Sequence, residues 1–243
     1  MSGRQILHSG QSYKEILRGL LPEFLELFFP EVSARLDFSS LRFPNREVFT
    51  AFPDGQRREP DVVAELRTRE GEPEIIVVHI EVQADVRGDL GKRMLEYYAL
   101  LWVQFEAPVF PVLLILQGGQ EGVGMAEYRH FLFGREVLRF QYARIALVRL
   151  SAREYVETSP LGAALSALMD RGKTSDELEL RARMLKRVVT SGLDEERLYL
   201  LVNISGSRRT SARASGGWSG ERSFRKCRIR SSPGVTSSSS RAW

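Results

Sequence analysis

The sequence is nearly free of cysteine, since its 243 residues include a single one, Cys227, close to the carboxyl end. Disulfide bonds and cysteine-ligated zinc are therefore excluded from the rest of the chain, and three histidines alone do not build a convincing zinc site. The sequence also lacks an apolar run of the roughly 18 residues that a membrane-spanning helix requires. The amino-terminal segment MSGRQILHSGQSYKE has no apolar signal core. We therefore expect a cytoplasmic protein without a membrane partner.

Positive charge is distributed unevenly along the chain. The net charge is +4, yet residues 204–243 contain nine lysines and arginines and one acidic residue, which leaves −4 for residues 1–203. An acidic body makes sequence-independent binding of phosphates weak. Residues 204–243 also hold twelve serines and five glycines with almost no apolar periodicity, so they are predicted to be disordered. Two interpretations stay open for this tail: a basic segment that binds nucleic acid, or a reading frame that has slipped near residue 204.

Hydrophobic periodicity in the first 203 residues predicts both helices and strands. Helices are predicted at residues 13–29, with a kink or break at Pro22 and an end at Pro30, and at 88–106, 163–169, 175–189 and 194–203. Strands are predicted at residues 46–52, 59–68, 74–83 and 109–116 and within 138–150, where IALVRL is the clearest. The fold class is therefore α/β, a mixed sheet flanked by helices, with a core at residues 1–150 and a helical extension at residues 151–203.

Three finer expectations concern residues 88–124. The buried stripe of the second helix is expected to consist of Met94, Tyr98, Leu101, Trp102 and Phe105. The continuous apolar run at 109–116 is typical of a central strand that is covered on both faces. The glycine-rich segment QGGQEGVG at 117–124 lacks the Lys-Ser/Thr pair of a P-loop, so nucleotide binding is not expected.

The segment PDVVAELRTREGEPEIIVVHIEVQ, residues 60–83, has the pattern of a β-hairpin that turns around Gly71. Residues on its two arms face each other when their numbers sum to about 142, which places Asp61 opposite Glu81. Two carboxylates so placed repel each other, and a divalent cation such as Mg²⁺ bound between them removes that cost. The alternative is an ordinary half-exposed hairpin, in which acidic residues on the solvent face are common.

Pro60-Asp61, followed after an apolar strand by Glu81-Val82-Gln83, resembles the active-site motif of the PD-(D/E)XK nuclease superfamily. The segments FLELFFPE, FTAFPDGQRREPDVVAEL, VHIEVQ, KRMLEYYALL and FGREVLRF are similar to the Rpn-type family of recombination-promoting nucleases and transposases. This resemblance extends over residues 13–203. It implies a restriction-endonuclease-like fold and Mg²⁺-dependent cleavage of DNA, with Mn²⁺ as a substitute, in recombination or a mobile element. It also implies a homodimer, because cutting both strands of DNA requires two active sites.

The resemblance also assigns roles to individual residues. Asp61 and Glu81 would be metal ligands, joined by the backbone carbonyl of Val82. Gln83 stands where the motif usually has a lysine, and it would position the attacking water without supplying a charge. Some relatives add a glutamate from the first helix, for which the candidates are Glu15, Glu23 and Glu26.

Three neighbouring residues are further candidates. His79 is predicted on the same face as Glu81 and could act as a base near neutral pH, although a structural role is commoner for such a histidine. Arg93 and Tyr97 are one helical turn apart and could contact phosphate, or could simply lie on the surface.

The sequence leaves two functions other than an active endonuclease open. One is a catalytically weak or inactive module that binds DNA or protein on the same fold, which the neutral Gln83 and the acidic residues 1–203 favour. The other is a truncated, frame-shifted product that folds poorly. Metal dependence of DNA cleavage separates an enzyme from a binding module.

Overall fold

A computed structural model describes residues 9–44, 60–71, 74–86, 88–119, 121–172 and 177–205. These residues lie in the first of two units of the chain, Met1–Arg209, and the second unit, Thr210–Trp243, is outside them. The strand predicted at 46–52 also lies outside the described residues, as does the tail beyond Ser205.

The amino-terminal helix is divided into three pieces: α1 Ser9–Gly19, α2 Leu21–Phe28 and α3 Pro30–Ser33. Pro22 is the second residue of α2, a position where its missing N–H is tolerated, so the predicted break lies at Leu20. Pro30 follows the end of α2, as predicted, and is also the first residue of α3.

Six strands form one mixed sheet: β1 Leu36–Arg42, β2 Val62–Thr68, β3 Ile75–Gln83, β4 Val109–Ile115, β5 Val123–Leu132 and β6 Arg135–Ala146. Their order across the sheet is β1-β2-β3-β4-β6-β5. The pairs β3–β4 and β4–β6 are parallel, and the other neighbours are antiparallel. A long helix, α4 Leu90–Phe105, connects β3 to β4. The predicted class, an α/β mixed sheet flanked by helices, is confirmed.

Pro111 lies inside β4 without interrupting the sheet. The Leu116 N–H donates to the Gln83 carbonyl at 2.9 Å, and since strand residues alternate in direction, the Pro111 nitrogen faces β6 rather than β3. Pairing of β4 with β6 begins only at Val112. The missing N–H of Pro111 therefore removes no hydrogen bond from the sheet.

The chain after β6 is helical, with α5 Ala152–Tyr155, α6 Pro160–Leu165, α7 Glu177–Val189 and α8 Glu195–Ser205. The segment IALVRL is only partly a strand, because β6 ends at Ala146 and residues 147–149 form a 3₁₀ turn. α7 buries Leu180, Met184 and Val188, which recur every four residues. No helix among the described ranges is long and apolar enough to cross a membrane.

Helices cover both faces of the central strands, as the apolar run in β4 predicts. The main core joins one face of the sheet to α2 and α8 and includes Phe24, Ile80, Leu114 and Leu201. On the opposite face, α4 packs against β3, β4 and β6. β3 and its polar residues are therefore enclosed from both sides.

The buried face of α4 differs from the predicted stripe. It consists of Leu90, Met94, Tyr97 and Leu101. Tyr98 and Phe105 are only partly buried, and Trp102 is exposed. The Tyr97 ring packs edge-on against His79 of β3, with centroids 5.1 Å apart, and this contact turns Trp102 toward solvent.

Candidate active site

The β2–β3 hairpin has the predicted register. Val62 pairs with Ile80 and Val63 with His79, so that paired residue numbers sum to 142. Gly71, in the connection, has a φ of 78°, a left-handed conformation that favours glycine. Asp61 directly precedes β2, and Glu81 lies near the carboxyl end of β3. The register therefore brings the two predicted carboxylates to the same end of the sheet.

Asp61 is held by two donors from different elements. Its Oδ2 accepts a hydrogen bond from the backbone N–H of Val82 at 2.8 Å, which extends the contact between the hairpin arms. Its Oδ1 lies 2.6 Å from the Nζ of Lys14, a residue of α1. The Lys14 side chain is partly exposed, so the ion pair lies at the solvent side of the site.

Glu81 is almost completely buried, with 2% of its side chain exposed. Its Oε1 accepts a hydrogen bond from the Gln83 amide at 2.8 Å and lies 3.3 Å from the Arg93 Nε. Its Oε2 has no hydrogen-bond partner among the described residues. Burial, reinforced by the negative charge of Asp61, raises the pKa of Glu81 to about 7, against the opposing effect of Arg93. Among the protein groups alone, the ionised form of Glu81 is therefore unfavourable.

His79 is too deeply buried for the role of a base near neutral pH. It is fully buried, and burial lowers its pKa to about 3, so that it stays neutral. Its Nε2 lies 3.9 Å from Glu81 Oε2, beyond hydrogen-bonding distance, and its ring packs on Tyr97. His79 therefore has a structural role in the site, through its packing on Tyr97.

Arg93 and Tyr97 both reach the site from α4, but in different ways. Arg93 forms the ion pair with Glu81 and lies over the Tyr97 ring at 5.9 Å, with part of its side chain exposed. Tyr97 is buried, and burial raises its pKa to about 12. Arg93 thus keeps part of its side chain exposed beside Glu81, whereas Tyr97 does not lie on the surface. A contact of either residue with phosphate stays a prediction.

The first helix brings a lysine to the site instead of a glutamate. Glu15 lines a cavity beside Arg18, and Glu23 forms an ion pair with Arg197 at 3.0 Å. Glu26 is solvent-exposed on α2. Lys14 was not among the predicted residues, because nothing in its sequence spacing indicates that this turn of α1 packs over Asp61.

The donor set fits a hard cation that keeps several of its waters. Among the described ranges, no group of three or more His, Cys, Asp or Glu side chains is arranged to hold a metal. Asp61 and Glu81 supply two carboxylates, and the free Glu81 Oε2 is an acceptor without a donor. In an extended strand, the Val82 carbonyl lies on the same side of β3 as its N–H, which donates to Asp61. Two carboxylates with a carbonyl suit Mg²⁺ or Mn²⁺ rather than zinc.

Gln83 holds Glu81 by the hydrogen bond from its Nε2. This contact fixes Oε1 and leaves Oε2 as the oxygen without a partner. The contact that the structure shows for Gln83 is this hydrogen bond to Glu81. Its role in positioning the attacking water stays a prediction.

Comparison of the chain with protein-family models, with curated proteins and with solved structures gave no match.

Proposed function

We propose that this protein is a metal-dependent endonuclease that hydrolyses phosphodiester bonds of DNA, on a restriction-endonuclease-like fold. One observation carries the proposal: Glu81 is buried beside Asp61 with an oxygen that no described donor satisfies and with a raised pKa. A buried carboxyl group whose pKa is raised by burial and by a second carboxylate is typical of a functional site.

The surrounding elements support the same proposal. The antiparallel β2–β3 hairpin is followed by α4 and the parallel strand β4, so the carboxylates lie at the carboxyl end of β3, where ligands of α/β sheets commonly bind. This order agrees with the core expected from the resemblance to PD-(D/E)XK nucleases.

The cation would be held by Asp61, Glu81 and the Val82 carbonyl, where it would polarise a phosphoryl oxygen and lower the pKa of a bound water. The protein side chains prepare this arrangement. Gln83 fixes the direction of Glu81, and the Val82 N–H fixes that of Asp61. A cation on the Asp61 carboxylate would compete with the Lys14 ammonium, which lies 2.6 Å from Oδ1.

Lys14 and Arg93 supply the positive charge that Gln83 lacks. Lys14 belongs to α1 and Arg93 to α4, so the two cations approach the carboxylates from different elements. Both side chains are partly exposed and can reach toward a substrate phosphate. Such preorganised charges stabilise the negative charge that develops on the phosphate in the transition state.

Plasmid nicking by the purified full-length chain tests the proposal, with Mg²⁺, with Mn²⁺ and with EDTA. Wild-type protein is expected to nick only with metal, and Asp61→Asn and Glu81→Gln are expected to abolish nicking. Glu65→Gln is the matched control, because Glu65 is a carboxylate of β2 outside the cluster. Nicking that persists in EDTA or in both site variants would refute the assignment.

A second candidate is a binding module without catalysis. The Lys14–Asp61 ion pair favours it, because the ammonium at 2.6 Å neutralises one carboxylate without a metal. Folded wild-type protein that binds DNA but cuts it with neither metal would establish this alternative. DNA as the substrate, a homodimer and a link to recombination or a mobile element rest on the resemblance of sequence motifs.

A further inference from the structure

β5 is an edge strand that lacks two of the features that usually protect an edge, a proline and a bulge of its own. Within the described sheet, its ten residues pair only with β6. It contains no proline and no lysine. The irregularity of the β5–β6 hairpin places the extra residue, Val137, in β6, so β5 runs unbroken. A long regular edge exposes N–H and C=O groups that can pair with another strand.

The exposed side chains of β5 are apolar toward both ends and charged in the middle. Met125 and Phe131 are 60% and 53% exposed. Glu127 and Arg129 lie between them and form an ion pair within the strand. Phe133, in the hairpin turn, is 96% exposed and has a φ of 49°, an unfavourable conformation for an aromatic residue. Met125 and Phe131 are thus large exposed apolar side chains that a second strand could cover.

The charges select the register in which two copies of β5 can pair. A two-fold axis through the strand gives antiparallel pairing, in which residues equally distant from the axis face each other. An axis at Glu127 or at Arg129 places two like charges directly opposite, which is destabilising. An axis at Tyr128 instead places Glu127 of each copy opposite Arg129 of the other, which is stabilising.

Pairing about the same axis also places side chains of compatible size opposite each other. Met125 then faces Phe131 of the second copy, so the exposed apolar residues at the two ends of the strand cover each other. Leu132 falls opposite Gly124, where a Cβ atom would meet nothing within 4 Å. Charge, hydrophobicity and volume thus favour one register.

We propose that the chain forms a homodimer through antiparallel pairing of two β5 strands about a two-fold axis at Tyr128, which joins the two sheets into one. The proposal is independent of the proposed enzymatic function, because it involves no residue of the candidate active site.

Sedimentation velocity of the full-length chain over a wide range of concentration tests the dimer and its register. Wild type is expected to dimerise reversibly, and Glu127→Arg and Arg129→Glu are each expected to weaken dimerisation at least about tenfold. An equimolar mixture of these two variants is expected to dimerise again, because each arginine then faces a glutamate of the other variant. Arg153→Glu, a charge reversal at an exposed position of α5, is the control and should behave as wild type.

Met125→Pro is a second variant that does not depend on charge. The Gly122 carbonyl accepts from the Ala146 N–H, so by alternation the Met125 N–H faces away from β6. A proline at Met125 therefore costs the monomer no hydrogen bond but removes one from the pairing of two β5 strands. The variant should fold and melt like wild type yet dimerise at least about tenfold more weakly. Wild type that is monomeric at every concentration overturns the proposal. So do dimers of undiminished affinity in Met125→Pro, or a mixture of the two charge variants that stays monomeric although both are folded by circular dichroism.

Discussion

Replacing Glu81 with glutamine is expected to stabilise the metal-free protein at pH 8, although it removes a proposed metal ligand. The carboxyl group is 2% exposed, and burial next to Asp61 raises its pKa from 4.5 to about 7. Glutamine has nearly the same shape and no charge. Its carbonyl oxygen can still accept the hydrogen bond that the Gln83 amide donates at 2.8 Å.

The size and the sign of the effect follow from this pKa. One pKa unit corresponds to about 1.4 kcal/mol, so ionised Glu81 costs the folded state about 3 kcal/mol. Below pH 4.5 both the folded and the unfolded chain hold the proton, and there is no penalty. As the pH rises toward 7, the unfolded chain loses this proton first and the folded state becomes less stable. Above pH 7 the penalty is complete.

Urea unfolding in EDTA, repeated from pH 4.5 to pH 8, measures this difference. Wild type and Glu81→Gln should have similar free energies of unfolding at the lowest pH, and the variant should exceed wild type by up to about 3 kcal/mol at pH 8. Mg²⁺ at pH 8 should stabilise wild type and leave the variant unchanged. A variant that is less stable than wild type at pH 8 would show that the Arg93 ion pair outweighs the burial of Glu81, and the reasoning would fail.

Three further predictions concern the same cluster. Mg²⁺ affinity measured by calorimetry should rise about tenfold per pH unit up to about pH 7 and then level off, because Glu81 must lose its proton to bind the ion. An affinity that does not change with pH would contradict this. Lys14→Met should lower the single-turnover cleavage rate about 10–100-fold at saturating Mg²⁺, because it removes a charge that stabilises the transition state. An unchanged rate would mean that Lys14 only neutralises Asp61. Asp61→Ala should lower the free energy of unfolding by about 1–3 kcal/mol in urea titrations, because it leaves the Val82 N–H without its acceptor. Asp61→Asn should cost less, because its amide oxygen can accept this hydrogen bond, and equal losses in the two variants would contradict the prediction.

The hairpin and its register could be predicted from the sequence because the information is local. Alternation of side chains fixes which residues of β2 and β3 share a face, and a turn at Gly71 fixes which residues are opposite. The apolar run of β4 likewise predicts a strand covered on both faces. These features depend on neighbouring residues alone.

Features that depend on distant packing were missed. β1 has the polar sequence LDFSSLR and is a strand because it pairs with β2, which its own residues do not indicate. The contact of Tyr97 with His79 sets the rotation of α4, so Trp102 faces solvent despite its size. Lys14 reaches Asp61 only because α1 packs across the start of β2, an arrangement that spacing along the chain does not encode.

The direction of β5 determines where two active sites would lie in a β5-paired dimer. A two-fold axis at Tyr128 reverses every strand of the second copy, so the carboxyl ends of the two β3 strands point toward opposite ends of the joined sheet. β3 is separated from β5 by β4 and β6, so seven strand spacings, about 34 Å in all, lie between the two β3 strands. Such a dimer would present its sites to two separate stretches of DNA. Nicked circles should therefore accumulate before linear product in a plasmid digest, because a double-strand break would require two independent encounters.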